Sequence, residues 1–257
     1  MKEKIYTIPL MDAFKADDEC PFCFIERNLE QHAIDFVLGS GASYMEDDVR
    51  AETDKLGFCR RHYKKMFDYG NRLGSGLILT THFKKKNEEL KQQIKMFSPG
   101  KASMLSHFKK AQTDSDHPKT NIGMWIKEQQ KTCYICDYYK NTYARYLDTF
   151  FELYRKNPDF KELFKASKGF CLNHFADLVE NAETILSDKE KKSFYEILFP
   201  LMTENLQRVT DDLEWFCDKF DYKNKDADWK NSRDAVQRGM QKAGSGYPAD
   251  PPYKADL

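Results

Sequence analysis

The sequence predicts an all-α protein made of two copies of a four-helix unit, with one metal site in each copy. Three observations support this. Charged residues make up 32% of the chain in mixed order, with only 12 glycines and 9 prolines among 257 residues, and this composition favours helix over strand. Apolar residues recur at helical spacing over long stretches. A pair of cysteine and histidine motifs also occurs twice.

The first copy is predicted to span 1–100. Apolar residues recur every three or four positions from Cys20 onwards until Gly39 ends the pattern. Gly57 follows the second helix in the position of a C-terminal cap. The remaining three helices of this copy are predicted at about 45–56, 59–72 and 77–97.

A polar linker, 101–120, separates the first copy from the second, 121–222, and a polar C-terminal tail, 223–257, follows. Pro200 lies inside the last helix of the second copy and is expected to kink or split it. Four helices are predicted in this copy. The first two span about 136–154 and 159–168, the third begins at about 171, and the fourth carries the apolar stripe that includes Phe194 and Phe220.

Charge and hydropathy exclude some partners. Lys and Arg together number 41, as do Asp and Glu, so the net charge is zero and gives no general attraction to nucleic acid. The first fourteen residues lack the pattern of a signal peptide. No apolar run approaches the roughly 18 residues that a membrane span needs. We therefore expect a cytoplasmic protein with neither a nucleic-acid partner nor a membrane.

Six of the seven cysteines belong to the repeated motifs. In a reducing cytosol such cysteines are not expected to form a disulfide framework. Each copy contains a CxxC followed, after nearly the same number of residues, by a CxxH. The predicted metal ligands are Cys20, Cys23, Cys59 and His62 in the first copy, and Cys133, Cys136, Cys171 and His174 in the second.

Three thiolates and one imidazole are typical ligands of tetrahedral zinc. We therefore predict two zinc ions per chain, each bound within one copy. An iron–sulfur cluster is one alternative, because its ligands are usually cysteines but can include histidine. A redox dithiol is another, because a CxxC at a helix N-terminus can have a depressed thiol pKa. A thioredoxin-like site would need a βαβ unit, and none is predicted.

The remaining cysteine and histidines are not assigned to a site. Cys217 lies in the apolar stripe of the last helix and is expected to be a buried structural residue. His32 and His82 are expected to be ordinary surface or core residues, and His107 and His117 carry no pattern.

The chain is similar, over nearly its whole length, to a bacterial family catalogued as a domain of unknown function, number 6062. The resemblance is carried by Lys4–Pro9, Cys20–Cys23, Ser43–Arg50 and Gly57–Tyr63. It supports the repeat and the motifs and implies no activity. Members often carry the automatic label of ABC transporter substrate-binding proteins, but a secreted binding protein needs an export signal, and the first residues do not have that pattern.

The function predicted from these features is a zinc-binding helical scaffold that binds an unknown protein or a small ligand. A thiol-based redox or metal sensor, a metal handler and an iron–sulfur protein are the alternatives. Enzymatic activity is disfavoured because four protein ligands close the zinc coordination sphere. No catalytic or cofactor-binding motif is visible either. No pattern in the chain indicates an oligomeric state.

Overall fold

The computed structural model describes residues 5–100 and 118–248, which form eleven α-helices and no β-strand. The predicted all-α class is therefore confirmed for the described residues. None of these helices combines the length and the hydropathy that crossing a bilayer requires. The helices are α1 (Thr7–Lys15), α2 (Pro21–Leu38), α3 (Asp47–Leu56), α4 (Arg60–Tyr69), α5 (Arg72–Met96), α6 (Asn121–Gln130), α7 (Tyr134–Lys156), α8 (Pro158–Ala166), α9 (Leu172–Ile185), α10 (Asp188–Asp218) and α11 (Ala235–Gly244).

Eight of these helices correspond to the predicted ones: α2 to α5 in the first copy and α7 to α10 in the second. Sequence reasoning missed α1, α6 and α11, the last of which lies in the predicted polar tail, 223–257. Helix α10 continues through Pro200, so the predicted split is wrong, while a kink stays a prediction. The tandem duplication also stays a prediction.

Two compact units make up the structure, and their boundaries differ from those of the predicted copies. Within the described ranges, the first unit comprises residues 5–30 and 139–248, and the second comprises 31–100 and 118–138. Helices α2 and α7 therefore each contribute residues to both units. Of the predicted linker, 101–120, only the last three residues are described.

The core of the first unit is largely aromatic. Phe22 lies between the two cysteines of the first CxxC and is fully buried. Its ring centroid lies 5.8 Å from that of Phe150 and 5.7 Å from that of Phe170. Contacts between such rings add to the free energy of apolar burial. The first CxxC is thus buried in a core formed mainly by residues beyond 139.

The second unit has a smaller core. It combines the C-terminal part of α2 with residues from α4, α5, the start of α7 and the segments that precede α4 and α7: Ala33, Ile34, Val37, Leu38, Phe58, Met66, Tyr69, Ile78, Cys133 and Ile135. The backbone N–H of Tyr134 donates to the carbonyl of Gly57 at 2.9 Å. The hydroxyl of Thr132 donates to the carbonyl of Leu56 at 2.7 Å. These hydrogen bonds attach the second CxxC to the turn that precedes the first CxxH.

Candidate metal centres

All four motifs have the same local structure, at the N-terminus of a helix. Cys20, Cys59, Cys133 and Cys171 immediately precede α2, α4, α7 and α9. The carbonyl of each accepts the first backbone hydrogen bond of its helix, at 2.9–3.2 Å. The other ligand residue of each motif, a cysteine or a histidine, follows three positions later and lies on the same face of the helix. The positive end of the helix dipole favours a thiolate at such a position.

A glycine with positive φ precedes both CxxH motifs and turns the chain into the helix. Gly57 has φ 59° and Gly169 has φ 74°, a region that residues with a side chain rarely adopt. A Cβ atom at Gly57 would also lie 2.9 Å from Cε1 of His82. The glycine therefore fixes the direction in which the following cysteine and histidine enter the site.

The eight predicted residues form two clusters, but the motifs are paired across the halves of the chain. In each cluster the four ligand atoms lie within 4.8 Å of one another. Site 1 contains Cys20, Cys23, Cys171 and His174, and site 2 contains Cys59, His62, Cys133 and Cys136.

The predicted pairing within each half is therefore wrong. Cys20 and Cys23 do not share a cluster with Cys59 and His62, and Cys133 and Cys136 do not share one with Cys171 and His174. Both pairings supply the same three thiolates and one imidazole, so the motifs alone cannot distinguish them. The packing of Phe22 in the first unit and the hydrogen bonds around Gly57 in the second decide the pairing.

Distances within site 1 converge on the Nδ1 atom of its histidine. His174 Nδ1 lies 3.4 Å from Sγ of Cys20, 3.6 Å from that of Cys23 and 3.2 Å from that of Cys171. Site 2 repeats this arrangement with similar values. His62 Nδ1 lies 3.3, 3.2 and 3.5 Å from the Sγ atoms of Cys59, Cys133 and Cys136. Each cluster can therefore hold a metal ion among its four ligand atoms.

Comparison with known families matches residues 1–250 to the model of a family described as a family of unknown function (DUF6062). The chain belongs to this family. The resemblance noted in the sequence is thereby confirmed, and the family brings no activity to the interpretation. No similarity to a curated protein or to a solved structure was found.

The electrostatics of site 1 in this DUF6062 chain are compatible with a bound cation. Hydrogen bonds from Cys20 and Cys23 hold the pKa of the Cys171 thiol well below its usual value. Burial, together with the neighbouring sulfur atoms, raises the pKa of Cys20. Burial acts to lower the pKa of His174, but contacts with Cys171 and Cys23 outweigh it and raise the pKa to about 10. The buried sulfur atoms of Cys20 and Cys171 thus compete for negative charge, which a divalent ion would neutralise.

The same competition holds in site 2. Burial acts to raise the pKa of Cys133, but the hydrogen bond with His62 contributes to lowering it to about 6. Burial and then the negative charge of Cys133 raise the pKa of Cys136 to about 12. Of these two thiols, only Cys133 is readily held as a thiolate without a metal ion.

The other ring nitrogen of His174 faces polar groups. Its Nε2 atom lies 3.4 Å from the hydroxyl of Tyr139 and 3.9 Å from Oε2 of Glu26. Such groups orient a ligand histidine and fix which nitrogen faces the metal. No pattern in the sequence indicates either residue in this role.

A further contribution that sequence reasoning missed comes from the segment after α11. The Ser245 Oγ atom lies 3.0 Å from Sγ of Cys171 and accepts a hydrogen bond from the side-chain amide of Asn173 at 3.0 Å. Its hydroxyl is therefore free to donate to Cys171. The backbone N–H of Gly246 donates to Sγ of Cys23 at 3.4 Å. These groups cover site 1.

Helix α11 is held in place by a buried ionic network. Lys242 is 3% exposed, and its Nζ donates to the carbonyls of Glu19 at 2.7 Å and Lys168 at 2.5 Å. The same Nζ lies 3.2 Å from the Glu19 carboxylate, which Arg208 contacts at 2.5 Å. The network attaches α11 to the residue that immediately precedes Cys20.

The two sites differ in exposure. All four residues of site 1 are buried, whereas Cys59 and Cys136 of site 2 are partly exposed. Cys59 also lines a cleft of about 540 Å³ within the second unit, together with Arg60, Tyr63, His82 and Trp125. Site 2 is therefore the more accessible.

The remaining candidates lie outside both clusters. Cys217 is exposed, so the prediction that it is a buried structural residue is wrong. His32 and His82 belong to neither cluster. His107 and His117 lie outside the described residues.

Proposed function

We propose that each cluster binds one zinc ion and that the protein is a helical scaffold whose fold depends on these two structural sites. The observation that carries the proposal is the match between the clusters and zinc geometry. Bond lengths of about 2.3 Å for sulfur and about 2.0 Å for nitrogen, at tetrahedral angles, separate nitrogen from sulfur by about 3.5 Å and two sulfurs by about 3.8 Å. The nitrogen–sulfur separations are 3.2–3.6 Å. The Cys59 and Cys136 sulfur atoms are 3.9 Å apart.

The alternatives fit less well. In an iron–sulfur cluster the ligands are shared among several irons, which spreads them over a wider space than four ligand atoms within 4.8 Å. A thioredoxin-like dithiol needs a βαβ unit, and the described residues contain no strand. Among common metals, zinc is the usual partner of a tetrahedral site rich in thiolates.

A structural role follows from the ligand count. Catalytic zinc keeps a position open for water or substrate, whereas four protein ligands close the coordination sphere. A structural zinc ion supplies about 10–16 kcal/mol of apparent folding free energy in small peptides. That is comparable to the whole stability of a typical domain, about 5–15 kcal/mol. The partner of such a scaffold, whether a protein or a small ligand, stays a prediction.

The metal would join pairs of helix N-termini. In site 1 the starts of α2 and α9 meet, and in site 2 those of α4 and α7. Two positive helix ends repel each other when they approach. Three thiolates and a divalent ion carry a net negative charge, so the filled site offsets this repulsion as well as linking the helices.

Metal analysis of protein purified without oxygen tests the proposal. We expect two zinc ions per chain, no iron and no visible absorption band. The Cys217→Ser variant is the control and should keep both ions, because Cys217 is exposed and belongs to neither cluster. A brown protein containing iron would contradict the proposal, as would a chain that retains no metal.

A further inference from the structure

The two sites differ in their access to solvent. In site 1, Cys20 and Cys171 are 0% exposed, Cys23 is 4% and His174 is 3%. In site 2, Cys59 and Cys136 are both partly exposed. The cleft of about 540 Å³ beside Cys59 is wide enough to admit small molecules. A small reagent in solution therefore reaches the sulfur atoms of site 2 first.

The sites also differ in the groups that cover their sulfur atoms. In site 1, the hydroxyl of Ser245 and the backbone N–H of Gly246 contact Cys171 and Cys23. Hydrogen bonds of this kind withdraw charge from a metal-bound thiolate and reduce its reactivity. Among the described residues, Cys59 and Cys136 make side-chain hydrogen bonds only within their own cluster.

The backbone of Ser245, one of the residues that cover site 1, is strained. Ser245 has φ 65° and ψ 150°, a conformation that is essentially restricted to glycine. Such strain persists only where the surrounding structure holds it. Its hydrogen bonds to Cys171 and Asn173 do so here.

The two accessible sulfur atoms of site 2 are also close to each other. Cys59 Sγ and Cys136 Sγ are 3.9 Å apart, and a disulfide forms when two such atoms approach to about 2.0 Å. The third cysteine of the site, Cys133, is 2% exposed. An oxidant that enters from solvent therefore meets Cys59 or Cys136 before Cys133.

We propose that site 2 is an oxidation site at which hydrogen peroxide converts Cys59 and Cys136 to a disulfide and releases the zinc ion. The inference rests on the proposed zinc binding. The thiolate of Cys59 attacks the peroxide, the O–O bond breaks, and a sulfenic acid and hydroxide form. The Cys136 thiolate then attacks this sulfur and displaces a second hydroxide. The two sulfur atoms together lose two electrons to the peroxide, and two protons convert the hydroxides to water.

Release of the ion follows because the zinc loses two of its four ligands. The link between α4 and α7 then changes from a metal ion to a covalent bond, while site 1 keeps its ion. A thiol reductant together with zinc reverses the change, because a disulfide is reduced by thiol exchange.

The test uses the full-length, zinc-loaded protein titrated with hydrogen peroxide. A chromogenic chelator follows zinc release, and alkylation with peptide mass spectrometry locates the disulfide. We expect one zinc ion per chain to leave about tenfold faster than the second, together with a disulfide between Cys59 and Cys136. Release of both ions at one rate would overturn the inference, as would a first disulfide that involves Cys20, Cys23 or Cys171.

Two variants sharpen the test. Ser245→Gly removes the hydroxyl that covers Cys171 and relieves the backbone strain, so the protein should still fold. It should release the ion of site 1 faster and leave the rate of release from site 2 unchanged. No change at site 1 would overturn the role of the cover.

The Cys217→Ser variant should release both ions as the unmodified protein does. If the protein holds no zinc, the proposed function fails; if it holds two ions that leave together, only this inference fails.

Discussion

At the scale of single residues, the site depends on cysteines that precede a helix. Cys171 illustrates this, because its Sγ accepts from the backbone N–H of His174 at 3.5 Å. That contact satisfies one of the free N–H groups in the first helical turn, as an N-cap serine would. The cysteine thus caps the helix and places its sulfur atom beside the imidazole of His174. The start of α9 thus positions this pair of ligands, Cys171 and His174.

Serine substitutions in pairs distinguish the two ways of pairing the motifs. Cys20→Ser with Cys171→Ser removes two ligands from site 1, so the chain should keep one zinc ion. Cys20→Ser with Cys59→Ser removes one ligand from each site, so both ions should be lost or weakly held, because a serine hydroxyl does not replace a thiolate. Metal content after dialysis measures the difference.

Pairing within each half predicts the reverse result. The second double variant would then keep one ion, and the first would lose both. That outcome would contradict the clusters described above. Cys217→Ser controls for the general effect of replacing a cysteine, since it lies in neither cluster.

At the scale of secondary structure, α11 shows why a polar segment can be part of a core. Its buried residues recur at helical spacing, but three of the four are polar: Ala235, Arg238, Gln241 and Lys242. Hydropathy therefore does not reveal the helix. Arg238 is held by Asp212 and Asp234, each at 2.9 Å. Buried charges of this kind are tolerated only when they are paired.

Lys242→Met tests how strongly α11 is held. The substitution keeps the length of the side chain but leaves the buried Glu19 carboxylate without its lysine partner. Breaking a buried ion pair costs about 3–5 kcal/mol. Because Arg208 still contacts Glu19, we expect the free energy of unfolding to fall by about 3 kcal/mol. Urea unfolding of the zinc-loaded protein measures it.

The matched control for this prediction is Lys192→Met. Lys192 is exposed on α10, and surface substitutions of this type change stability by less than about 0.5 kcal/mol. Equal effects of the two substitutions would contradict the role of the buried network. A selective effect of Lys242→Met on zinc release from site 1 would connect α11 to the metal.

At the scale of the whole molecule, neither half of the chain can complete a site alone. Residues 1–100 supply the CxxC of site 1 and the CxxH of site 2, and residues 118–248 supply the other two motifs. Helices α2 and α7 each contribute to both units. The proposed metal binding therefore requires both halves of the chain.

Two fragments, 1–117 and 118–257, test this dependence. Separately, each should have low helicity and bind zinc weakly, because each lacks the core residues that surround its motifs. Mixed with zinc, they should regain the helicity of the intact chain and two tightly held ions, since binding energy to the folded form drives folding. Circular dichroism and metal content measure both changes.

If each fragment alone folds and holds one zinc ion tightly, the crossed arrangement is wrong. A mixture in which Cys171→Ser is present in the second fragment is the control. This mixture should bind one zinc ion tightly, at site 2, because only site 1 has lost a ligand.

Much of the site was predictable from sequence because its local geometry is set by neighbouring residues. Glycine, cysteine and histidine at fixed spacing determine where α4 and α9 begin and which side chains share a face. The same reasoning identified all eight candidate ligands. It failed for Cys217, because an apolar stripe shows which residues share a helix face and does not show that another element covers it.

By itself, the sequence determined the helical class, the position of most helices and the two kinds of ligand pair. These depend on interactions over a few residues. Only the tertiary structure decided that Cys20 and Cys23 lie with Cys171 and His174, that the segment after α11 covers site 1, and that site 2 is partly exposed. The reason is that both pairings offer chemically identical ligand sets, and closing a longer loop adds little free-energy cost. The packing of distant side chains such as Phe22 and Phe170 therefore made the choice.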